Sequence, residues 1–216
     1  MGRLIKDAII LFAITLVAGL GLGFVYNVTS DARQEQIERT KQGAYKDVMP
    51  GFDKPDDTFN IDVDEAIKYI SDKINNTEKS NGIKPMKEFN AEIEDVVLAL
   101  DKDGNKIGYI VTVIDKEAYG GSLKLAVGVT TDKIVKGISF LSLNETPGLG
   151  MNADTDGFKN QFNIDKQIDY FEYTKTGKTE DNQIDVISSA TITTNAVTHS
   201  VNAAIYCVDF IQGGGK

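Results

Sequence analysis

The sequence predicts an α+β fold, a twisted antiparallel sheet packed with helices, preceded by one N-terminal transmembrane helix. Three observations carry that prediction. An uncharged apolar run spans Ala8 to Val28. From about residue 90 to residue 143 the pattern is strand-like, with β-branched residues broken by Asp-Gly and Thr-Asp-Lys turn signals. The last segment carries apolar residues at alternating steps of four and three, the mark of a helix with one apolar face.

The apolar run reads AIILFAITLVAGLGLGFVYNV, and Thr15 and Asn27 are its clearly polar members. About 20 such residues match the hydrocarbon core of a bilayer. The run exceeds the apolar part of a cleaved signal peptide, and no small-residue cleavage site follows it cleanly. Tyr26 suits the membrane–water interface. Arg3 and Lys6 precede the run and Asp31 follows it. The positive-inside rule therefore predicts a single-pass protein of the cell membrane, with a cytoplasmic N-terminus and an extracytoplasmic body.

Beyond the membrane, Ser30 to Val48 is charged and helix-prone, with Ser30 or Asp31 as its cap and Pro50-Gly51 as its stop. Asp53 to Asp57 reads as loop. Ala66, Ile67, Ile70 and Ile74 give Asp64–Ile74 a helical spacing, and Asn75 to Gly82 reads as a polar turn. Strands follow: Val96–Leu100, Lys106–Asp115, Ser122–Thr130 and Ile134–Leu143, an antiparallel meander. Tyr119-Gly120-Gly121 joins the second of these to the third. Asn144 to Gly150 is a loop, Asp156–Phe162 a short helix, and Asp169–Tyr173 and Ile184–Ile187 further strands. A helix from about Thr193 to Ile211 closes the chain, with Val197, Val201, Ala204, Val208 and Ile211 facing the sheet and Gly213–Gly215 as its end. The expected division is a cytoplasmic N-terminus and membrane helix over 1–29, a juxtamembrane helical region over 30–89 and a globular domain over 90–216.

Composition narrows the chemistry. The net charge is −9, made of +1 over residues 1–30 and about −10 over residues 31–216, which argues against nucleic acid as a partner. Cys207 is the single cysteine, so the chain forms no internal disulfide and no four-cysteine metal site. His199 is the single histidine and lies off the apolar stripe, where solvent exposure is expected. A hydrolytic Ser or Thr would need a base that this histidine is poorly placed to supply. No catalytic side chain and no metal site are predicted.

Residues 185–194 read DVISSATITT. A strand running through small hydroxyl residues into a helix makes a natural phosphate seat. The first helical amides are unpaired donors, and the helix dipole favours negative charge there. Thr193 and Thr194 equally fit a plain capped helix start with no ligand.

Asp185-Val186-Ile187-Ser188-Ser189-Ala190-Thr191 resembles the flavinylation motif of the FMN-binding domain family, D-g-x-s/t-g-A-T, with Val186 and Ser189 standing where glycines are usual. Asn144-Glu145-Thr146-Pro147-Gly148-Leu149-Gly150 resembles that family's E-T-P-G-L-G loop. The two motifs occur in the family's order. The whole layout is similar to the G-subunit family of Rnf complexes, the ion-translocating ferredoxin:NAD oxidoreductases. It also resembles the C subunit of sodium-translocating NADH:quinone reductase, which is usually longer.

The resemblance implies an electron-transfer subunit with FMN linked covalently, through a phosphoester, to Thr191. A flavin transferase would place it there, with Asp185 serving either its recognition or the capping of a turn. Ser188, Ser189 and Ala190 would seat the phosphate beside the amides of Ile192 and Thr193. Glu145, Thr146, Gly148 and Leu149 would lie along the flavin. The implied partners are other integral membrane and redox subunits. A free-standing membrane flavoprotein and a non-redox assembly module with the same fold are the competing readings.

Overall fold

The computed structural model describes residues 2–80 and 91–214. The chain divides into two units, Met1–Gln42 and Gly43–Lys216. The expected domain junction at 29/30 lies within one uninterrupted helix, and the one at 89/90 lies outside the described residues.

That helix, α1 (Gly2–Val48), joins the two N-terminal helices that the sequence suggested. Ser30 does not cap a new start. Its hydroxyl donates back to Asn27 O at 2.8 Å, as Thr29 does to Val25 O at 2.8 Å, so both hydroxyls are absorbed within the helix. In the first unit the apolar side chains from Leu4 to Val28 are exposed. The helix is long and apolar enough there to cross a membrane.

The second unit is built on five antiparallel strands in sequence order: β1 (Lys54–Pro55), β2 (Ala91–Leu100), β3 (Lys106–Ala118), β4 (Gly121–Thr130) and β5 (Val135–Ser142). β1 pairs with β2 where a loop was expected. Two residues offer no readable pattern, and the pairing comes from the neighbouring strand.

Alternation along β3 and β4 gives the sheet two buried faces. Val111, Val113, Leu125 and Val127 point to one face, where α4 (Thr191–Asp209) and α2 (Val63–Ser80) cover them with Val197, Val201, Ala204, Ile70 and Ile74. Ile110 and Ala126 point to the other, where the last turns of α1 cover them with Ala44, Tyr45 and Val48, followed by Met49 and Phe52. Glycine makes this second contact possible. A Cβ on Gly128 would lie 1.9 Å from Val48 O, so only a bare backbone lets the helix end approach.

α2 starts at Val63 because Asp62 caps it: Glu65 N donates to the Asp62 carboxylate at 3.0 Å. It runs on to Ser80, through the first part of the expected turn at 75–82, whose last two residues lie outside the described set. After β5 come a 3-10 turn (Gly150–Asp154), the four-residue α3 (Asp156–Lys159) and a second 3-10 turn. The two late strands, β6 (Glu172–Thr174) and β7 (Gln183–Asp185), pair with each other in parallel as a separate small sheet.

α4 is buried on nearly all sides rather than along one stripe. One of its polar side chains serves backbone that belongs to no strand. Asn202 donates to Phe171 O at 2.8 Å and accepts from Phe171 N at 2.7 Å. His199, expected in solvent, is 2% exposed, and Asp115 of β3 is fully buried. Burial pushes the Asp115 carboxyl up to about 6, against the hydrogen bond from Glu117 N and the charge of His199.

Candidate functional site

The first turn of α4 forms one wall of a cleft of about 510 Å³. Three segments distant in sequence meet there: the β3–β4 tip at Tyr119, the loop after β5, and residues 189–193.

The β7–α4 junction is a tight turn. Ala190 N donates to Ile187 O at 2.9 Å, and Ser189 sits at φ 61°, in the left-handed region. Serine thus holds the conformation that the motif's usual glycine takes without strain. The helical ladder begins where Thr194 N donates to Ala190 O at 3.0 Å. The amides of Thr191, Ile192 and Thr193 precede that rung and have no acceptor within the helix. The expected capping by Thr193 and Thr194 does not occur, and Ala190 occupies the cap position. Thr194 Oγ1 instead ties the turn together, accepting from Ile187 N at 3.1 Å and donating to Ala190 O at 3.0 Å.

Thr193 points inward and donates to Glu145 Oε1 at 2.9 Å. The same oxygen accepts from Gly120 N at 3.2 Å. One buried carboxylate therefore fastens the hairpin tip, the loop and the helix start to each other. Gly150 owes its place to this contact. A Cβ there would lie 2.5 Å from Glu145 Oε2, and its φ is not positive. The left-handed glycine of the loop is Gly148, at φ 76°. Leu149 N donates to Thr146 O at 3.1 Å, so Thr146-Pro147-Gly148-Leu149 is a turn with proline and glycine in their type II positions.

Thr191, Ser189, Ala190, Ile192, Thr193, Glu145, Thr146 and Leu149 all border the cleft. Ser188 and Gly148 are exposed and shape its turns without lining it. Asp185 also stands away from it. Its carboxylate accepts from Lys178 N at 2.7 Å, and Gln161 brackets its backbone. Among the described hydroxyls of α4, those of Thr193, Thr194, Thr198 and Ser200 are bonded within the protein. Thr191 Oγ1 has no hydrogen bond among the described residues.

Residues 118–206 match the FMN-binding domain family. Over 97% of both chains this protein is 33% identical to the G subunit of the proton-translocating ferredoxin:NAD(+) oxidoreductase complex of Clostridium ljungdahlii. The chain belongs to the G-subunit family of ion-translocating ferredoxin:NAD oxidoreductase complexes. A second G subunit, from the Na(+)-translocating complex of Acetobacterium woodii, is 29% identical over 93% of this chain and 89% of its own. Among solved structures, the C subunit of the Na(+)-translocating NADH-quinone reductase of Parabacteroides distasonis aligns at a TM-score of 0.42 and 21% identity, covering 68% of this chain and 93% of that one. The whole cleft falls within the residues that match the FMN-binding domain.

The residues of the β7–α4 junction that the sequence grouped together do line one cleft, but the Glu145–Thr193 bond and the packing role of Gly150 were not read from it. Nothing in the spacing signals them, because the bond spans 48 residues. The buried Asp115 was within reach of the pattern. It follows Val111 and Val113 on the inward side of β3.

Proposed function

We propose that this G-subunit protein transfers electrons through an FMN held covalently, by a phosphoester, on Thr191, as part of a membrane-bound ion-translocating oxidoreductase complex. The observation that carries the proposal is Thr191 itself. Among the described residues its hydroxyl has no hydrogen bond, and it borders the cleft at the first residue of a helix whose leading amides have no acceptor within the helix.

The residues present fit the cofactor. Three adjacent amides and one free hydroxyl suit a phosphate monoester, and about 510 Å³ is within the range of ligand pockets. The phosphate would rest on the amides of Thr191, Ile192 and Thr193, with Ser188, Ser189 and Ala190 forming the turn below it. FMN supplies the redox chemistry when bound. Glu145 holds the cleft walls in register through Gly120 and Thr193. Thr146 and Leu149, held by the turn at Gly148, border the cleft from the loop after β5. Attachment through phosphate asks no side chain to act as acid or base. Asp185, exposed at the end of β7, is assigned to recognition by the flavin transferase.

The relatives' names speak of multi-subunit complexes, so other redox and integral membrane subunits are the partners proposed here. Arg3 and Lys6 ahead of the span support a cytoplasmic N-terminus and an extracytoplasmic cleft-bearing unit.

The test is the intact mass of the full chain coexpressed with a flavin transferase. One added FMN phosphoryl unit on the peptide containing Thr191, lost in Thr191→Ala, is the expected result. An unmodified wild-type chain under those conditions overturns the proposal.

A further inference from the structure

Tyr119 is the large side chain at the cleft that attachment does not use. It is 72% exposed although it stands at the turn of a buried hairpin. Ala118 pairs with Gly121, so Tyr119 and Gly120 form a two-residue tip. That tip is fixed. Gly120 N donates to Glu145, and a Cβ on Gly120 would lie 1.8 Å from Asn144 O. The ring is thus presented from a clamped backbone at the mouth of the cleft, with Leu149, 40% exposed, and Ile192, 53% exposed, on the same rim. Three apolar side chains beside a polar phosphate seat match a ligand that is anionic at one end and a flat aromatic at the other.

We infer that Tyr119 stacks on the flavin ring and holds it in the cleft. This rests on the proposed FMN at Thr191. Attachment fixes the phosphate end alone; the Tyr119 ring, with Leu149 and Ile192, fixes the other end and screens one ring face from solvent.

The chain has no tryptophan, and Tyr119 is the tyrosine that borders the cleft among the described residues. A stacked phenol quenches flavin fluorescence by passing an electron to the excited ring and taking it back, with no net reaction. The experiment compares native and SDS-denatured fluorescence of full-length protein carrying FMN, as wild type, Tyr119→Phe and Tyr119→Ala. Flavin loading of each is measured separately by mass. The expected result is full loading in all three, native wild-type emission at least fivefold below denatured, and recovery of most of that loss in both variants. Iodide quenching of the flavin should rise in Tyr119→Ala and not in Tyr119→Phe, which keeps the stack. Loaded variants as dim as wild type overturn the stacking, as does a loaded wild type with no native quenching. An unloaded wild type defeats the attachment instead, and the mass shows which has failed.

Discussion

Thr193 Oγ1 donates to Glu145 Oε1 at 2.9 Å, joining the start of the last helix to a loop 48 residues earlier. Because Gly120 N donates to the same oxygen, the cleft has three walls and one shared fastening. A buried donor left without its acceptor costs about 1–3 kcal/mol. Glu145→Ala strands the Thr193 hydroxyl, whereas Glu145→Gln keeps an acceptor in place. Urea denaturation should therefore show Glu145→Ala losing more stability than Glu145→Gln. A double-mutant cycle with Thr193→Val should give a coupling of roughly 1 kcal/mol. Strict additivity would mean that the bond does not hold the walls together.

Asp115 gives the stability a pH dependence. Its carboxyl keeps a proton up to about 6 when folded and loses it near 3.9 when unfolded. Within that window the folded state binds more protons, so unfolding free energy falls as pH rises. Above about pH 6 the penalty is complete, on the order of 3 kcal/mol. His199 and Glu117 are the charged neighbours that modulate it. Asp115→Asn removes the titration. Its stability relative to wild type should be more favourable at pH 7 than at pH 4, by on the order of 2–3 kcal/mol in chemical denaturation. An equal difference at both pH values would show that burial does not raise the carboxyl above its unfolded value.

The end of α1 belongs to the sheet core, through Ala44, Tyr45 and Val48. Tyr45 also donates to Asp95 at 3.1 Å. A chain starting at residue 31 retains that cover and should fold as a soluble, cooperatively unfolding domain. A chain starting at Phe52 lacks it, and should expose Ile110 and Ala126 and aggregate. Gly128→Ala places a Cβ against Val48 O and should cost at least the upper end of the roughly 1–3 kcal/mol typical of overpacking. Equal solubility of the two truncations would remove the helix end from the core.

These outcomes mark where the sequence was legible. The meander follows from local pattern, and its strand ends agree with the structure to within three residues except at the start of β2, which begins five residues early; the apolar run lies inside the longer α1. The part of the cleft at the β7–α4 junction was equally local, seven residues in a row. The rest depended on partners distant in the chain. Tyr45 and Val48 sit on a charged helix whose burial comes from Gly128 of β4. Asn202 breaks the stripe of α4 because its amide serves the backbone of Phe171, and His199 does so beside the buried Asp115 of β3. Ser30 carried the signature of a helix cap, but a hydroxyl that bonds back to Asn27 O fits mid-helix equally well.

Ser189 offers a separable test of the turn below the proposed attachment site. Its φ of 61° is left-handed, which costs an L-residue roughly 1–2 kcal/mol. Glycine removes that strain but adds about 0.5–1 kcal/mol of lost backbone entropy on folding. Ser189→Gly should therefore be more stable by a net of about 0.5–1 kcal/mol, seen as a higher urea midpoint. It should load FMN as fully as wild type, since the turn keeps its shape and the leading amides of α4 stay in place. Ser189→Val should lose stability, because a β-branched residue is poorly tolerated at positive φ. Its in-gel flavin fluorescence should fall with it. A glycine variant that loads less than wild type would mean that the Ser189 hydroxyl, and not the backbone turn alone, takes part in holding the phosphate.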